Sequence, residues 1–543
     1  MLRAQSAAAV SVAAVSEAAA SQARRYAWVP LGRHAHEFRP THPGVRCVRP
    51  LAGALGRCVI LGAMESVADA VERLNRLAAT PELIVLARLF GEAGHELSLV
   101  GGPVRDAFLG RPVTDLDLTT DATPDQTLAI VNPAAEAVWE IGREFGTIGA
   151  RFGAHTVEIT TYRRDAYDGA TRKPDVVFGD DLEAVLTRRD FTINAMALRL
   201  PDAQHPEPRL VDPTGGVDDL LARTLRTPSG PEVSFGDDPL RMLRAARFAA
   251  QLGFVVDPAT LDAARGMADR LAIVSAERIG AEIAKLMLAA DPVAGIRVLV
   301  DSGAAEQVLP EIPALRLEID EHAHHKDVYE HSLTALNRAI ELEKSRGHEP
   351  TLILRLAVLL HDIGKPATRV IEPGGVVTFH HHDVLGAKLA AKRLRALRFD
   401  NETVKAVSEL IRLHLRFFGY AGGAWSDSAV RRYVRDAGPL LEWLHILSRS
   451  DVTTRNRRKA DELEFAYDDL EERIATLAAE EELAAIRPDL DGEHIMRILH
   501  LNPGREVGEA YRFLLEERLE DGPLGPDEAE RRLLQWWSAR SRG

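Results

Sequence analysis

The run from Leu97 to Leu118 constrains the fold more than any other part of the chain. An apolar strand, Leu97-Ser98-Leu99-Val100, stops at Gly101 and Gly102; Pro103-Val104-Arg105-Asp106 then opens a helix to Gly110, and Asp115-Leu116-Asp117-Leu118 alternates as a second strand. Glycines let a backbone turn approach a polyphosphate without Cβ interference, and a helix N-terminus favours anions. Arg105, on the first turns of that helix, adds charge-assisted donors. In an extended Asp-x-Asp, both carboxylates leave the same strand face, because side chains alternate with a period of two. Asp115 and Asp117 are therefore expected to hold Mg²⁺, which activates a hydroxyl and neutralises a departing pyrophosphate. A glycine pair alone is usually just a turn, and an Asp-x-Asp alone a solvated strand end. Their combination within residues 101–117 is what points to nucleotide chemistry.

Two further motifs extend the pattern. Glu158, between apolar neighbours in Thr156-Val157-Glu158-Ile159-Thr160, offers a third carboxylate or is simply an exposed strand residue. In Arg188-Arg189-Asp190-Phe191-Thr192-Ile193-Asn194-Ala195, arginines suit phosphates and Asp190 and Asn194 suit sugar hydroxyls; Asp190 is also a natural helix cap.

GG-x-V-R-D, D-x-D and RRDFTINAMA together resemble the head of class II tRNA nucleotidyltransferases (CCA-adding enzymes) and bacterial poly(A) polymerases, over about Leu97 to Ala290. The resemblance implies an α+β fold, with a polymerase beta-like mixed α/β head followed by an all-α neck, HD domain and tail. It also implies that Gly102 and Arg105 bind the incoming triphosphate, Asp115 and Asp117 hold magnesium, and Arg189 contacts the nucleotide.

Downstream, Asp237-Asp238-Pro239 is expected to open a helix capped by Asp237, and Asp238, Arg241, Arg244 and Arg247 recur every three residues along one side of it. Three arginines so close would repel one another without an anion. Arg donates and Asp accepts hydrogen bonds, so one such pair matches the acceptor–donor edges of CTP and ATP and mismatches GTP and UTP. In the resembled family this motif reads Glu-Asp-x-x-Arg and replaces a template; here Asp237 stands in place of Glu. A helix over about Ser275–Ala289, with Glu277-Arg278, is expected to buttress this neck.

From about Leu315 to Tyr467 the chain reads as helical and rich in histidine. The order His331, His361-Asp362, Asp451 resembles the metal-binding pattern of HD-domain phosphohydrolases, and Leu359-Leu360-His361-Asp362-Ile363-Gly364-Lys365 resembles them closely. Imidazoles and carboxylates suit a divalent transition metal or Mg²⁺, with His382 and His414 as ligands of a second ion. Arg455, Arg457, Arg458 and Lys459 form a basic cluster that either contacts RNA or is a solvated helix end. Residues 468–543, ending near Trp536-Trp537, form a helical tail that packs on the HD domain or grips RNA.

The expected organisation is a leader over 1–63, a nucleotidyltransferase head over 64–225, a base-recognising neck over 226–314, an HD domain over 315–467 and a tail over 468–543. No stretch of roughly 18 apolar residues occurs, so no membrane helix is expected. Two cysteines, Cys47 and Cys58, fit a reducing cytosol, and the chain is read as cytoplasmic. A net charge of −14 excludes a generally basic nucleic-acid coat, so RNA contacts must be local patches. The expected partners are a tRNA 3′ end, CTP and ATP, with CCA addition as the reaction.

Poly(A) polymerases of this type usually carry Arg/Lys-Arg-Phe after the second strand. Here Arg143-Glu144-Phe145 puts an acid in that stretch, which favours CCA addition. An HD-domain phosphohydrolase with a nucleotide-sensing head is the alternative from another class. The leader holds eight arginines, no lysine and only two acids, Glu17 and Glu37, a composition that organelle transit peptides share; it reads as a disordered tail, or as translated sequence upstream of a start at Met64. A chain beginning at Met64 is expected to keep full nucleotide-adding activity, which a side-by-side assay of both lengths checks.

Overall fold

The computed structural model describes residues 67–166, 175–179, 181–316, 327–373, 377–421, 425–452, 457–481 and 486–540. The leader call lies outside them. The chain divides into two compact units: Phe254–Ala263 joins the residues up to Arg241 in the first, and Met242–Gly253 joins Ala264 onward in the second.

The first unit opens with helices α1 (Val67–Ala78) and α2 (Pro81–Glu92). Ala70, Leu74 and Ala78 recur every four residues on α1 and are buried, as an amphipathic helix requires. A seven-stranded mixed sheet follows, in the order β3-β4-β5-β2-β1-β8-β9. Its strands are β1 (Leu97–Val100), β2 (Leu116–Thr120), β3 (Ala137–Trp139), β4 (Thr147–Phe152), β5 (His155–Thr161), β8 (Ala197–Arg199) and β9 (Arg209–Val211); β6 (Arg163–Ala166) and β7 (Asp175–Phe178) pair separately. All four residues of β1 are buried, which suits a continuous apolar run in mid-sheet. Helix α3 (Gly102–Phe108) leaves the end of β1. β2 and β5 run parallel, and their register sets Asp117 beside Glu158. Short strands β10 (Thr224–Leu225) and β11 (Val255–Val256) pair in parallel, so the residues after helices α4 (Pro231–Asp237) and α5 (Arg241–Leu252) return to the first unit.

The second unit is helical. α6 (Ala276–Met287) precedes α7 (Val328–Ser345), α8 (Leu352–Leu360), α9 (His382–Ala396), α10 (Asn401–Leu413), α11 (Asp427–Ala437), α12 (Leu441–Asp451) and the long α13 (Arg457–Glu480). A hairpin, β12 (Arg369–Ile371) with β13 (Val377–Phe379), interrupts what the sequence presents as uniformly helical. His361 and His414 likewise sit just beyond the last residues of α8 and α10.

α14 (Gly492–Leu499), α15 (Arg505–Asp521) and α16 (Pro526–Arg540) enclose a small core of Leu490, Ile495, Leu499, Ala510, Leu514, Ala529 and Leu533. Trp536 stacks on Phe513 at 4.9 Å and Trp537 packs against the same core, so the tryptophan pair is tail packing. The tail also docks on α11 through a buried ion triad. Glu481 accepts from Arg431 Nε at 2.8 Å and from Arg518, and Arg431 continues to the carbonyls of Leu519 and Glu520. Of the two readings of the tail, packing on the HD region is the one this geometry carries. Glu481→Gln leaves two buried guanidinium groups without a counter-charge, a loss of about 3–5 kcal/mol. Hydrogen exchange along α15 is expected to accelerate accordingly.

Candidate functional site

Gly101 joins β1 to α3 with φ of +74°, a conformation that favours glycine. Its N–H donates to the Met196 carbonyl at 3.1 Å, and the volume a Cβ would need is taken by the Arg189 guanidinium. A Cβ on Gly102 would meet only Arg105 Nη2, at an ordinary 3.8 Å. The two glycines therefore do different work: the first admits Arg189, the second leaves the helix start open.

Arg105 donates from Nη1 to Asn194 Oδ1 at 2.7 Å, and from Nε and Nη2 to the Asp106 carboxylate at 2.9 and 2.8 Å. Asn194 Nδ2 donates to Asp190 Oδ1 at 3.0 Å, and the Phe191 N–H donates to the same oxygen at 2.8 Å. Asp190 is buried. It caps no α-helix: Thr192–Asn194 form one 3₁₀ turn, because pairing of β8 with β1 takes over from Ala197. The four residues Arg105, Arg189, Asp190 and Asn194, separated by up to 89 positions, thus gather around one glycine turn.

Asp117 is half-buried on β2 and Asp115 exposed just before it. Burial pushes the Asp117 carboxyl above its usual range; Arg189 opposes this, while Glu158 and Asp115 add to it. Carboxylates suit a hard divalent cation, but among the described residues these three do not form a group whose oxygens lie within 4.8 Å of one another. The register sets Glu158 beside Asp117, and its side chain is also exposed, so both features the sequence allowed are present.

At the neck, Asp237 ends α4 instead of capping the next helix. Asp238 precedes Pro239, which disfavours helical backbone, and it is extended (φ −142°, ψ 100°). Its Oδ1 accepts from Leu240 N–H at 3.2 Å and its carbonyl from Arg241 N–H at 3.0 Å, so Asp238 caps α5. Arg241 donates to Ser234 Oγ at 2.7 Å and to the Arg188 carbonyl, which ties the neck motif to the Arg188-Arg189 segment.

Arg244 and Arg247 do have an internal anion, contrary to the sequence expectation. Glu282 on α6 accepts from Arg247 Nε at 2.6 Å and lies 3.9 Å from Arg244 Nη1. Arg247 is buried, donates to Gln251 and lies 4.1 Å over the Phe248 ring. The 275–289 helix buttresses the neck as expected, but through Glu282, whose only sequence signal is a lone acid on an otherwise apolar helix face.

In the second unit, six groups converge. His331, His361 and Asp451 form one potential metal-ligand set and Asp362, His382 and His414 another; within each set the donor atoms lie within 4.8 Å of one another. The Nδ1 atoms of His361, His382 and His414 face the carbonyls of Val358, Phe379 and Ile411, each three residues earlier, at 2.8, 2.8 and 2.6 Å. A proton on Nδ1 fixes the tautomer and turns each Nε2 lone pair inward. Nε2 of His361 lies 3.2 Å from Asp362 Oδ2 and 3.3 Å from Asp451 Oδ1, and Nε2 of His414 is buried without a hydrogen bond among the described residues. Burial disfavours charge on His361, but Asp362 and Asp451 outweigh it and push the imidazole up to about 10. Burial and the His361 charge take His414 down to about 4. Lys365, which the sequence reading quoted without a role, reaches Asp362 Oδ2 at 2.6 Å.

Three known families match stretches of the chain. Residues 97–226 match the poly A polymerase head domain, 253–315 the "probable RNA and SrmB-binding site of polymerase A", and 328–456 the HD domain. An A-adding tRNA nucleotidyltransferase of Deinococcus radiodurans is 35% identical over 455 residues, 82% of this chain and 96% of the relative. The chain belongs to the tRNA nucleotidyltransferase family. A CC-adding family member from Thermus thermophilus is 31% identical over 81% of this chain and 93% of its own length. A CCA-adding enzyme of Bacillus subtilis is 40% identical over 37% of this chain and 48% of its own. In fold, the chain resembles the CCA-adding enzyme of Bacillus stearothermophilus in complex with CTP, with a TM-score of 0.60 and 22% identity over 85% of this chain and 99% of that one. The expected polymerase-type head, the HD domain and the mixed-then-helical architecture are present.

The basic cluster is weaker than its sequence implies. Arg458 pairs with Glu462 at 2.9 Å on α13, with Asp461 and Glu464 close in sequence, and Arg455 lies outside the described residues. No described helix is long and apolar enough to cross a membrane. Gly101→Ala combines a strained φ with a collision against Arg189 and is expected to cost about 1–3 kcal/mol. Gly102→Ala is expected to stay within about 0.5–1 kcal/mol, the helix having room for it; denaturant unfolding of the two variants checks the contrast.

Proposed function

We propose that this member of the family adds C, C and A to tRNA 3′ ends from CTP and ATP. The tRNA 3′ hydroxyl attacks the α-phosphate, a new P–O bond forms, the bond to the β-phosphate oxygen breaks and pyrophosphate leaves. The observation that carries the reading is the gathering of Asp117, Glu158 and Arg189 at the Gly101 turn, in a chain aligned with nearly the whole of a tRNA nucleotidyltransferase.

Each residue has a role in this reading. Asp115 and Asp117, with Glu158 beside them, would hold Mg²⁺, whose chemistry is to acidify the attacking hydroxyl and offset charge on the phosphates. Gly102 and Arg105 receive the triphosphate. Arg105 is oriented by Asn194, and Asn194 by Asp190, so Asp190 positions the phosphate-binding arm. Arg189 balances the carboxylates. Asp238 and Arg241 read the base, while Arg247, locked by Glu282, braces the helix that carries Arg244. His331, His361, Asp362 and Asp451 would hold a divalent metal at the HD centre, with His382 and His414 completing a second position; polarising a phosphoester is what such an ion supplies.

One observation favours a narrower reading. The two relatives matched over nearly their full length are named for A addition and for CC addition, whereas the CCA-adding one is matched over about half of its own. Incorporation of each labelled nucleotide onto tRNA transcripts ending before C74, after C75 and after A76 separates these readings. Two C and one A, with no G or U, is the expected result. C alone or A alone establishes the narrower activity, and long A tracts on unrelated RNA overturn tRNA specificity. Asp117→Asn is expected to lower turnover by at least about 10³-fold, since it removes a carboxylate from the reacting centre. Asp362→Asn is expected to reduce metal content, read by elemental analysis, while nucleotide addition persists. Loss of addition with Asp362→Asn and survival with Asp117→Asn would favour the HD hydrolase reading.

A further inference from the structure

Helix α9 carries a row of unneutralised positive charge in an acidic protein. Lys388, Lys392 and Arg395 follow one another at intervals of four and three residues, which places them on one helix face, and all three are exposed. None of them forms an ion pair among the described residues. Two acids of the elements packed on α9 pair with other arginines: Glu311 accepts from Arg393 at 2.9 Å, and Glu277 lies 3.4 Å from Arg398. Asp383 stands at the helix's first turn, where it favours the helix dipole. A row of like charges slightly destabilises its own helix, a repulsion that a bound polyanion would relieve.

The ends of α9 say which polyanion. Its first residue, His382, belongs to the metal-ligand group of the HD centre. Its other end packs against α6, within the segment matched as an RNA-binding region: a Cβ on Gly280 would collide with the Leu397 carbonyl, and Glu277 of α6 pairs with Arg398. The cationic row is thus continuous with that matched region and runs from it toward the HD histidines.

We infer that Lys388, Lys392 and Arg395 bind the sugar–phosphate backbone of the RNA substrate, extending the RNA surface onto the HD domain. The inference rests on RNA being the substrate and does not depend on which nucleotides are added. It assigns backbone contact to α9 and not to the Arg457–Lys459 cluster, where Arg458 is neutralised by Glu462.

The test uses the full chain and a tRNA transcript lacking its 3′ end. Equilibrium binding is measured at several salt concentrations for the native protein, for Lys388→Gln/Lys392→Gln/Arg395→Gln, and for a control with equal charge change, Arg457→Gln/Arg458→Gln/Lys459→Gln. Each backbone contact contributes about one to the slope of log affinity against log salt, so the α9 variant is expected to lose about two to three and to bind roughly ten-fold or more weakly. KM for tRNA rises while kcat holds. Lys388→Arg/Lys392→Arg is expected to restore the slope, which a merely structural role would not require. An unchanged slope in the α9 variant, or a loss confined to the control, overturns the inference. A native chain that binds no tRNA overturns the function proposed above and this inference with it.

Discussion

Arg189 stands where residue 101 would otherwise carry a side chain, and much of the head depends on that substitution of one group for another. The guanidinium comes from the far side of a 3₁₀ turn, 88 positions along the chain, and lies close enough to Asp117 to counter the charge of three neighbouring carboxylates. Without it, Asp117, Asp115 and Glu158 would repel one another across the parallel β2–β5 pairing. Without the glycine, the arginine could not approach. The same turn starts the helix bearing Arg105, so the position of Arg105 and that of the carboxylates' counter-charge are set by one local geometry.

Around this point lies a chain of hydrogen bonds that uses buried polar residues as struts. Asp190 holds Asn194, Asn194 holds Arg105, and Thr192 between them donates to Asp219 at 2.6 Å. Several residues that chemistry alone would assign to direct substrate contact thereby hold one another in place. Arg247 is the clearest case in the second unit: its charge is satisfied by Glu282, so its contribution is to stiffness. Leaving such a group unpartnered in the interior is costly, which is why each strut ends on a partner.

The HD centre follows the same logic with different groups. Three histidines use a carbonyl three residues back to fix their tautomer, a device that needs only the local turn in which each sits. Bringing their Nε2 atoms together needs α7, α8, α9, α10 and α12 to pack. Burial disfavours charge on both His361 and His414; the Asp362 and Asp451 carboxylates reverse this for His361, while His414 stays below the usual imidazole range.

Much of this was legible in the residues themselves. Gly101-Gly102, Asp115/Asp117, the Arg188–Asn194 stretch and the His331…His361-Asp362…Asp451 order name their chemistry because local spacing fixes which side chains share a turn or a strand face. What spacing cannot convey is which distant residue fills a given space or neutralises a given charge. Glu158 joined the carboxylates only through strand register, Glu282 met Arg247 only through helix packing, and Asp237 lost its capping role because Pro239 pushed the preceding residue out of helical backbone. The strength of a basic patch was undecided for the same reason. Arg457–Lys459 stands out as a run but has Arg458 paired with Glu462 on its own helix, whereas Lys388, Lys392 and Arg395 are spaced in sequence and form a row once α9 is wound. The sequence by itself determined the chemistry of the groups. The tertiary structure decided which of them are free to use it, because charge and space are shared among neighbours that only folding brings together.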